Sequence, residues 1–135
     1  YPVRGYSISL PPGRSAPAVS MTALRYKLVY SRINGFIRIA GFADFLGFDT
    51  AADDDRARAL LESARRIAPR AADYDSKDQV TWGGFRPMTP DGRPQVGPTH
   101  IDGLFLNTGH GMLGWTLACA TSLEAAQAVT SSHPA

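Results

Sequence analysis

Gly109-His110-Gly111-Met112-Leu113-Gly114 is a literal G-x-G-x-x-G run, with strand-like sequence before it and helix-like sequence after it. Glycines at this spacing let backbone N–H groups close on a phosphate at a helix start, the fingerprint of dinucleotide binding. That chemistry needs a second parallel strand and an acidic residue about 20 positions beyond the glycines, in a unit of about 30 residues. Only 115–135 follow the loop, the helix takes nearly all of them, and Ser131-Ser132-His133-Pro134-Ala135 is neither strand nor acid. The pyrophosphate reading therefore fails on geometry. What survives is a loop whose backbone approaches a flat or anionic ligand at a helix N-terminus, set against a close-packed strand-to-helix turn as the alternative. Asp53, Asp54 and Asp55 stand together where a helix should start, so they read as capping and solvated charge rather than a metal site. One cysteine, Cys119, excludes an internal disulfide, and His100, His110 and His133 have no ligand spacing, so no metal is assigned. Cys119, just inside the last helix, reads as a buried inert thiol.

The elements that must carry this loop follow from periodicity. Pro2 to Leu10 alternates as a strand, with Gly5 as a bulge or close approach, and Pro11-Pro12-Gly13 stops it. Val19 to Leu24 and Tyr26 to Ser31 read as one strand or two, and Phe36 to Phe42 is the return strand across Asn34-Gly35. Asn-Gly is the pair that a type I′ hairpin demands, because both central residues need positive φ. Thr50 with Asp53 resembles a capping box, and Ala57, Leu60, Leu61, Ala64, Ile67 and Ala68 form the apolar face of a helix that Pro69 ends. Gln79 to Arg86 is a further strand, running into Pro87-Met88-Thr89-Pro90-Asp91-Gly92-Arg93-Pro94, which two prolines flanking Asp-Gly make a tight, stiff loop. Gln95 to Gly97 and Leu104 to Asn107 are short strands, and a helix runs from about Trp115 to Thr130. The order strands, helix, strands, helix predicts an α+β fold with a mainly antiparallel sheet covered by helices.

Composition narrows the partners. The 135 residues suffice for one ordinary domain with a core, and 14 Lys+Arg against 12 Asp+Glu give a net charge of +2 without a basic stripe. Nucleic acid is therefore not an expected partner. No apolar stretch reaches the roughly 20 residues of a membrane-spanning helix, and no signal-peptide pattern opens the chain, so a soluble, cytoplasmic protein is expected. The chain enters strand-like sequence directly at Tyr1, without a methionine, which suggests a piece of something longer.

Two stretches bring a family into view. Trp82-Gly83-Gly84-Phe85-Arg86-Pro87-Met88-Thr89-Pro90-Asp91-Gly92-Arg93-Pro94, then LFLNTGHGMLGW from Leu104 to Trp115, resemble the C-terminal part of the FAD-dependent D-amino-acid dehydrogenase small subunits, in the D-amino-acid oxidase superfamily. Tyr1 to Ser7 is similar to the segment where such chains re-enter their substrate domain. The resemblance implies a substrate-domain portion at 1–98 and a strand-loop-helix at 99–135 that contributes to the FAD site, with the N-terminal Rossmann unit absent. It implies that Arg86 pairs with the substrate carboxylate, a task suited to a planar guanidinium that gives two parallel hydrogen bonds. Tyr6 is a candidate for the pocket wall, with a core role as the alternative, and Arg4 divides between pocket and surface. Gly109, His110, Gly111, Met112, Leu113, Gly114, Trp115 and Thr116 match the loop that lies against the flavin, where a helix N-terminus stabilises charge on the reduced ring. His110 is then loop architecture, and no side chain is given a catalytic role, since a neutral amine that loses its α-hydrogen as hydride needs no base. Met112 stands where some relatives carry a second basic residue, leaving Arg86 as the main anchor. Phe85 replaces a leucine frequent in relatives, which alters pocket shape.

The implied reaction is oxidative deamination of D-amino acids to 2-oxo acids and ammonia, with electrons passed to a quinone or other acceptor at the inner membrane, to which the intact enzyme would be peripheral. The chain alone is expected to bind FAD weakly or not at all and to be inactive. An exposed face left by the missing domain would favour homo-oligomers. A glycine- or sarcosine-oxidase-like flavoenzyme, or a non-catalytic binding or oligomerisation module, are the alternatives.

Overall fold

The structure, a computed structural model, describes residues 1–51 and 53–131; the tail from 132 on, His133 included, lies outside the described residues. It divides into two compact units, Arg4–Phe85 and Tyr1–Val3 with Arg86–Ala135. Strands β1 (Pro2–Leu10), β2 (Met21–Ala23), β3 (Leu28–Ile33), β4 (Phe36–Asp44) and β5 (Val80–Pro87) form a sheet in the order β2-β3-β4-β1-β5, and helix α1 (Asp53–Ile67) intervenes between β4 and β5 in sequence. The ladders joining β1 to β4, β3 to β4 and β2 to β3 are antiparallel. Strands β6 (Gln95–Pro98) and β7 (Phe105–Thr108) make a separate antiparallel pair, followed by helix α2 (Gly114–Ser131). The fold is thus α+β with antiparallel sheets and two helices, as the alternation of patterns predicts.

Asn34 and Gly35 both take positive φ, +50° and +83°, so the β3–β4 turn has the conformation that its sequence demands. A short 3-10 turn, Leu24–Tyr26, divides the Val19 to Ser31 stretch into two strands. The irregularity expected at Gly5 is present, but the extra residue is on the partner strand. Arg4 pairs with Asp44 and Tyr6 with Gly41, so β4 holds the bulge, and Phe42 takes φ +65° there. The Arg56 guanidinium lies 4.3 Å from the Phe42 ring centre, where cation and ring face attract.

The core of this unit lies between the sheet and α1. Ile8, Ile39 and Tyr30 stand opposite one another across three strands, Leu10 pairs with Ile37, and Leu60 and Ala64 of α1 close over them with Leu28. Leu61, Ile67 and Ala68 pack at its edge, so the helix face read from the sequence is the one buried. Asp53, expected to cap, instead sends its carboxylate to the Arg4 guanidinium, and Arg4 is buried rather than at the surface. Arg4 also lies over the Phe85 ring, 4.4 Å from its centre.

The end of α1 is held by two tyrosines. Tyr30 donates to the Ala64 carbonyl at 3.1 Å, and Tyr74 shares its one proton between the Ala64 and Ala68 carbonyls at 3.3 and 2.9 Å, adding to the backbone bonds that Ala68 and Ala71 N–H already make to these two oxygens. Burial raises the pKa of both phenols, with the neighbouring Tyr30 adding to the rise at Tyr74. Because the folded pKa lies above the unfolded value of about 10, the neutral phenols contribute stability below that pH, and the contribution is lost as pH rises toward the folded pKa. We expect urea stability to fall above about pH 10 by up to about 1.4 kcal/mol per pH unit for each phenol. The fall should be shallower in Tyr74→Phe; an identical slope in wild type and variant would refute the assignment.

Candidate functional site

The unit containing Arg86 and the glycine loop is built by backbone contacts between segments distant in sequence. Tyr1 and Met88 exchange backbone hydrogen bonds on one side. On the other, Met88 bridges His110, and Gly111 N–H donates to the Pro87 carbonyl at 3.0 Å. The exit of β5, which carries Arg86, is therefore fastened directly to the glycine loop. Arg86 is partly buried, and strand alternation puts it on the same side of β5 as Trp82 and Gly84, opposite Phe85.

Pro87 to Pro94 forms the stiff loop that its prolines predict. Thr89 Oγ1 donates to the Arg93 carbonyl at 2.8 Å, Asp91 accepts the Arg93 N–H at 3.1 Å, and Gly92 N–H closes a turn on Thr89 with φ +74°. This loop packs on the glycines. Gly109 has φ +82°, and a Cβ there would lie 2.6 Å from Thr89 Cγ2; Gly111 has φ +55°, and a Cβ there would lie 2.6 Å from Met88 Sδ. Two of the three glycines thus serve the close fit between the loops as well as the chain reversal.

Helix α2 starts after Leu113, whose N–H donates to the His110 carbonyl at 2.9 Å and whose own carbonyl accepts Leu117 N–H at 2.9 Å. Leucine has no side-chain oxygen to cap the turn, so the Gly114, Trp115 and Thr116 N–H groups at the helix start keep their donor capacity. Met112, Leu113 and Trp115 are exposed around them, Trp115 at 95%. Uncapped donors beside apolar side chains fit the edge and face of a flat ring with acceptor atoms. His110 instead turns inward, with Nε2 3.1 Å from the hydroxyl of buried Thr121. Helix α2 packs against β6 and β7, and one charged side chain, Glu124, occurs in its 18 residues.

Tyr6 lies in the other unit. It is 3% exposed, and burial, then its hydrogen bond to Asp44, raises its pKa. Arg56 bonds the same carboxylate, Nη2 to Oδ1, at 2.7 Å. Sequence reasoning placed Cys119 inside; the structure exposes it, because its side of α2 is uncovered among the described residues. It also missed Thr121 as the partner of His110 and Asp53 as the partner of Arg4. A buried threonine on an apolar helix is a faint signal of the first.

The family model described as FAD dependent oxidoreductase matches residues 1–128. The chain is 43% identical over its whole length to D-amino acid dehydrogenase 2 of Ralstonia nicotianae, covering 34% of that protein, and 41% identical to D-amino acid dehydrogenase of Paramagnetospirillum magneticum, with 96% of this chain and 31% of the relative covered. Among solved structures, glycine oxidase from Bacillus cereus superposes with a TM-score of 0.72 at 24% identity over 96% of this chain and 36% of that one. Glycine oxidase from Geobacillus kaustophilus gives 0.70 at 25% identity, with 96% and 35% covered. The chain spans about a third of the length of the curated relatives it matches.

Proposed function

Since the chain belongs to the FAD-dependent oxidoreductase family, we propose that it forms the substrate-facing part and one side of the flavin seat of an enzyme that oxidises D-amino acids. The observation that supports this most is the fastening of the Arg86 strand end to the glycine loop through Pro87 and Met88. It brings the backbone beside Arg86, the proposed carboxylate anchor, next to the loop that resembles a flavin seat. In this reading residues 1–98 face the substrate and 99–135 contribute to the cofactor site.

Arg86 binds the substrate carboxylate through two parallel hydrogen bonds, which orients the α-carbon. The FAD that residues 109–116 would help to hold would supply the hydride acceptor, and hydrolysis of the imine product would give a 2-oxo acid and ammonia. The loop 109–116 seats the ring, with Gly109, Gly111 and Gly114 shaping the backbone, Met112, Leu113 and Trp115 covering apolar surface, and the Gly114 to Thr116 N–H groups favouring negative charge on the reduced ring. His110 belongs to the architecture of this loop. Tyr6, engaged with Asp44, is the further substrate-binding candidate. Electrons then pass to a quinone or other acceptor, with the intact enzyme peripheral to the inner membrane. Among the described residues no helix is long and apolar enough to cross a membrane.

The chain covers about a third of its curated relatives, and by itself it is expected to show no flavin absorbance near about 450 nm and no turnover of D-alanine. Supplying the part of the Ralstonia nicotianae relative that this chain does not match, co-expressed or fused, should give flavin binding and D-alanine oxidation with an artificial electron acceptor. Turnover of N-methylglycine in preference to D-alanine would overturn the substrate assignment, and a bound flavin with no oxidase or dehydrogenase activity would favour a non-catalytic module. Exposed Met112, Trp115 and Leu123 supply an apolar surface for self-association of the chain by itself, which light scattering would detect as mass rising with concentration.

A further inference from the structure

Thr121 is 7% exposed, and its hydroxyl makes two contacts, with His110 Nε2 at 3.1 Å and with the Leu117 carbonyl oxygen at 3.1 Å. A hydroxyl has one proton to give. The Leu117 oxygen can only accept. If Thr121 gave its proton to the ring, its contact with Leu117 would set two oxygen lone pairs against each other in a buried place, where an unsatisfied pair is costly. Both contacts are attractive only when Thr121 donates to Leu117 and receives the ring N–H. We infer that Thr121 is a positioning residue that holds His110 in the Nε2–H tautomer, leaving Nδ1 of the neutral ring as a hydrogen-bond acceptor.

The backbone supports a fixed ring. His110 is held through its carbonyl by Leu113 N–H and through its bridge to Met88, and a Cβ on Gly114 would lie 3.7 Å from His110 Cβ, so the side chain stands beside the first residue of α2. No other hydrogen bond to the ring is made among the described residues. The ring thus keeps one lone pair, at Nδ1, that no described residue fills. In the proposed flavin seat, on which this last step rests, His110 would receive a hydrogen bond from a ligand N–H and would disfavour a phosphate oxygen, which brings acceptors only.

The test uses the chain itself and no flavin, so its failure leaves the cofactor assignment standing. The chain, labelled with 15N in its histidines, is measured by two-bond 1H–15N correlation at about pH 8.5, where an ordinary imidazole is neutral. His100→Gln and His133→Gln identify the His110 signals. The expected pattern has His110 Nδ1 at its unprotonated, downfield position and Nε2 at its protonated one, the same in Thr121→Ser, and collapsed toward the exchange average in Thr121→Val. An Nδ1–H pattern or an averaged ring in the wild type would overturn the inference, as would an unchanged fixed pattern in Thr121→Val. The wild-type spectrum decides the tautomer even if the valine variant does not fold.

Discussion

Arg86→Ala should lower kcat/KM for D-alanine by about 30-fold to several thousand-fold in an enzyme completed with the part of a D-amino acid dehydrogenase relative that this chain does not match, while leaving flavin content unchanged. Removing one partner of a hydrogen-bonded charge pair in a desolvated pocket costs about 2–5 kcal/mol, and each 1.4 kcal/mol is tenfold. Both parameters should move. KM rises because ground-state binding of the carboxylate is lost, and kcat falls because the α-carbon is no longer held in line for hydride loss. Arg86→Lys keeps the charge but gives up the two-point fork, so it should recover part of the loss, chiefly in KM. D-alaninamide, which has no carboxylate, should be oxidised poorly and should be nearly insensitive to the substitution. Equal kcat/KM for wild type and Arg86→Ala on D-alanine would eliminate the anchor. Tyr6→Phe separates the two roles of that residue: a fall in kcat/KM at unchanged stability supports a pocket role, whereas loss of stability alone identifies a core tyrosine.

What the sequence reveals of this molecule is local, and what it hides is long-range. The hairpin at Asn34-Gly35 is legible because two adjacent residues declare their own φ, and α1 is legible because Leu60 and Ala64 repeat within one helix. The bulge is half legible. Gly5 marks the place, yet the extra residue is at Phe42 on β4, since register belongs to the pair of strands rather than to either one. The candidate site divides in the same manner. Arg86 and the glycine loop are readable by type and by resemblance, but the Gly111 to Pro87 bond that fastens them joins residues with no local signal in common. The glycines also teach caution about motifs. Gly109 and Gly111 satisfy a dinucleotide pattern in letters, while the space that their missing Cβ atoms leave is taken by Thr89 and Met88. Cys119 reads as buried because free cysteines usually are, yet a helix side chain is buried only where something covers it.

Leu60→Ala is expected to cost about 2–5 kcal/mol, a large share of the 5–15 kcal/mol by which a domain of this kind is stable. Leu60 is fully buried and is, with Ala64, one of the two α1 side chains in the core proper, so its loss opens a cavity where the helix meets the sheet. The site next to it is tight. A Cβ added at Gly41 would lie 2.2 Å from Leu28 Cδ2 and 3.1 Å from Leu60 Cδ1, so Gly41→Ala alone overpacks the same junction at about 1–3 kcal/mol. The two changes should therefore offset in part. Truncating Leu60 frees room into which Leu28 can turn, away from the new methyl group, and the double variant should be less destabilised than the sum of the singles by about 0.5–3 kcal/mol. Urea denaturation of the four proteins measures this coupling directly. Strict additivity would mean that Leu28 cannot use the space and that the cavity stays open, and a Leu60→Ala loss below about 1 kcal/mol would mean that α1 is not seated on the sheet through this residue.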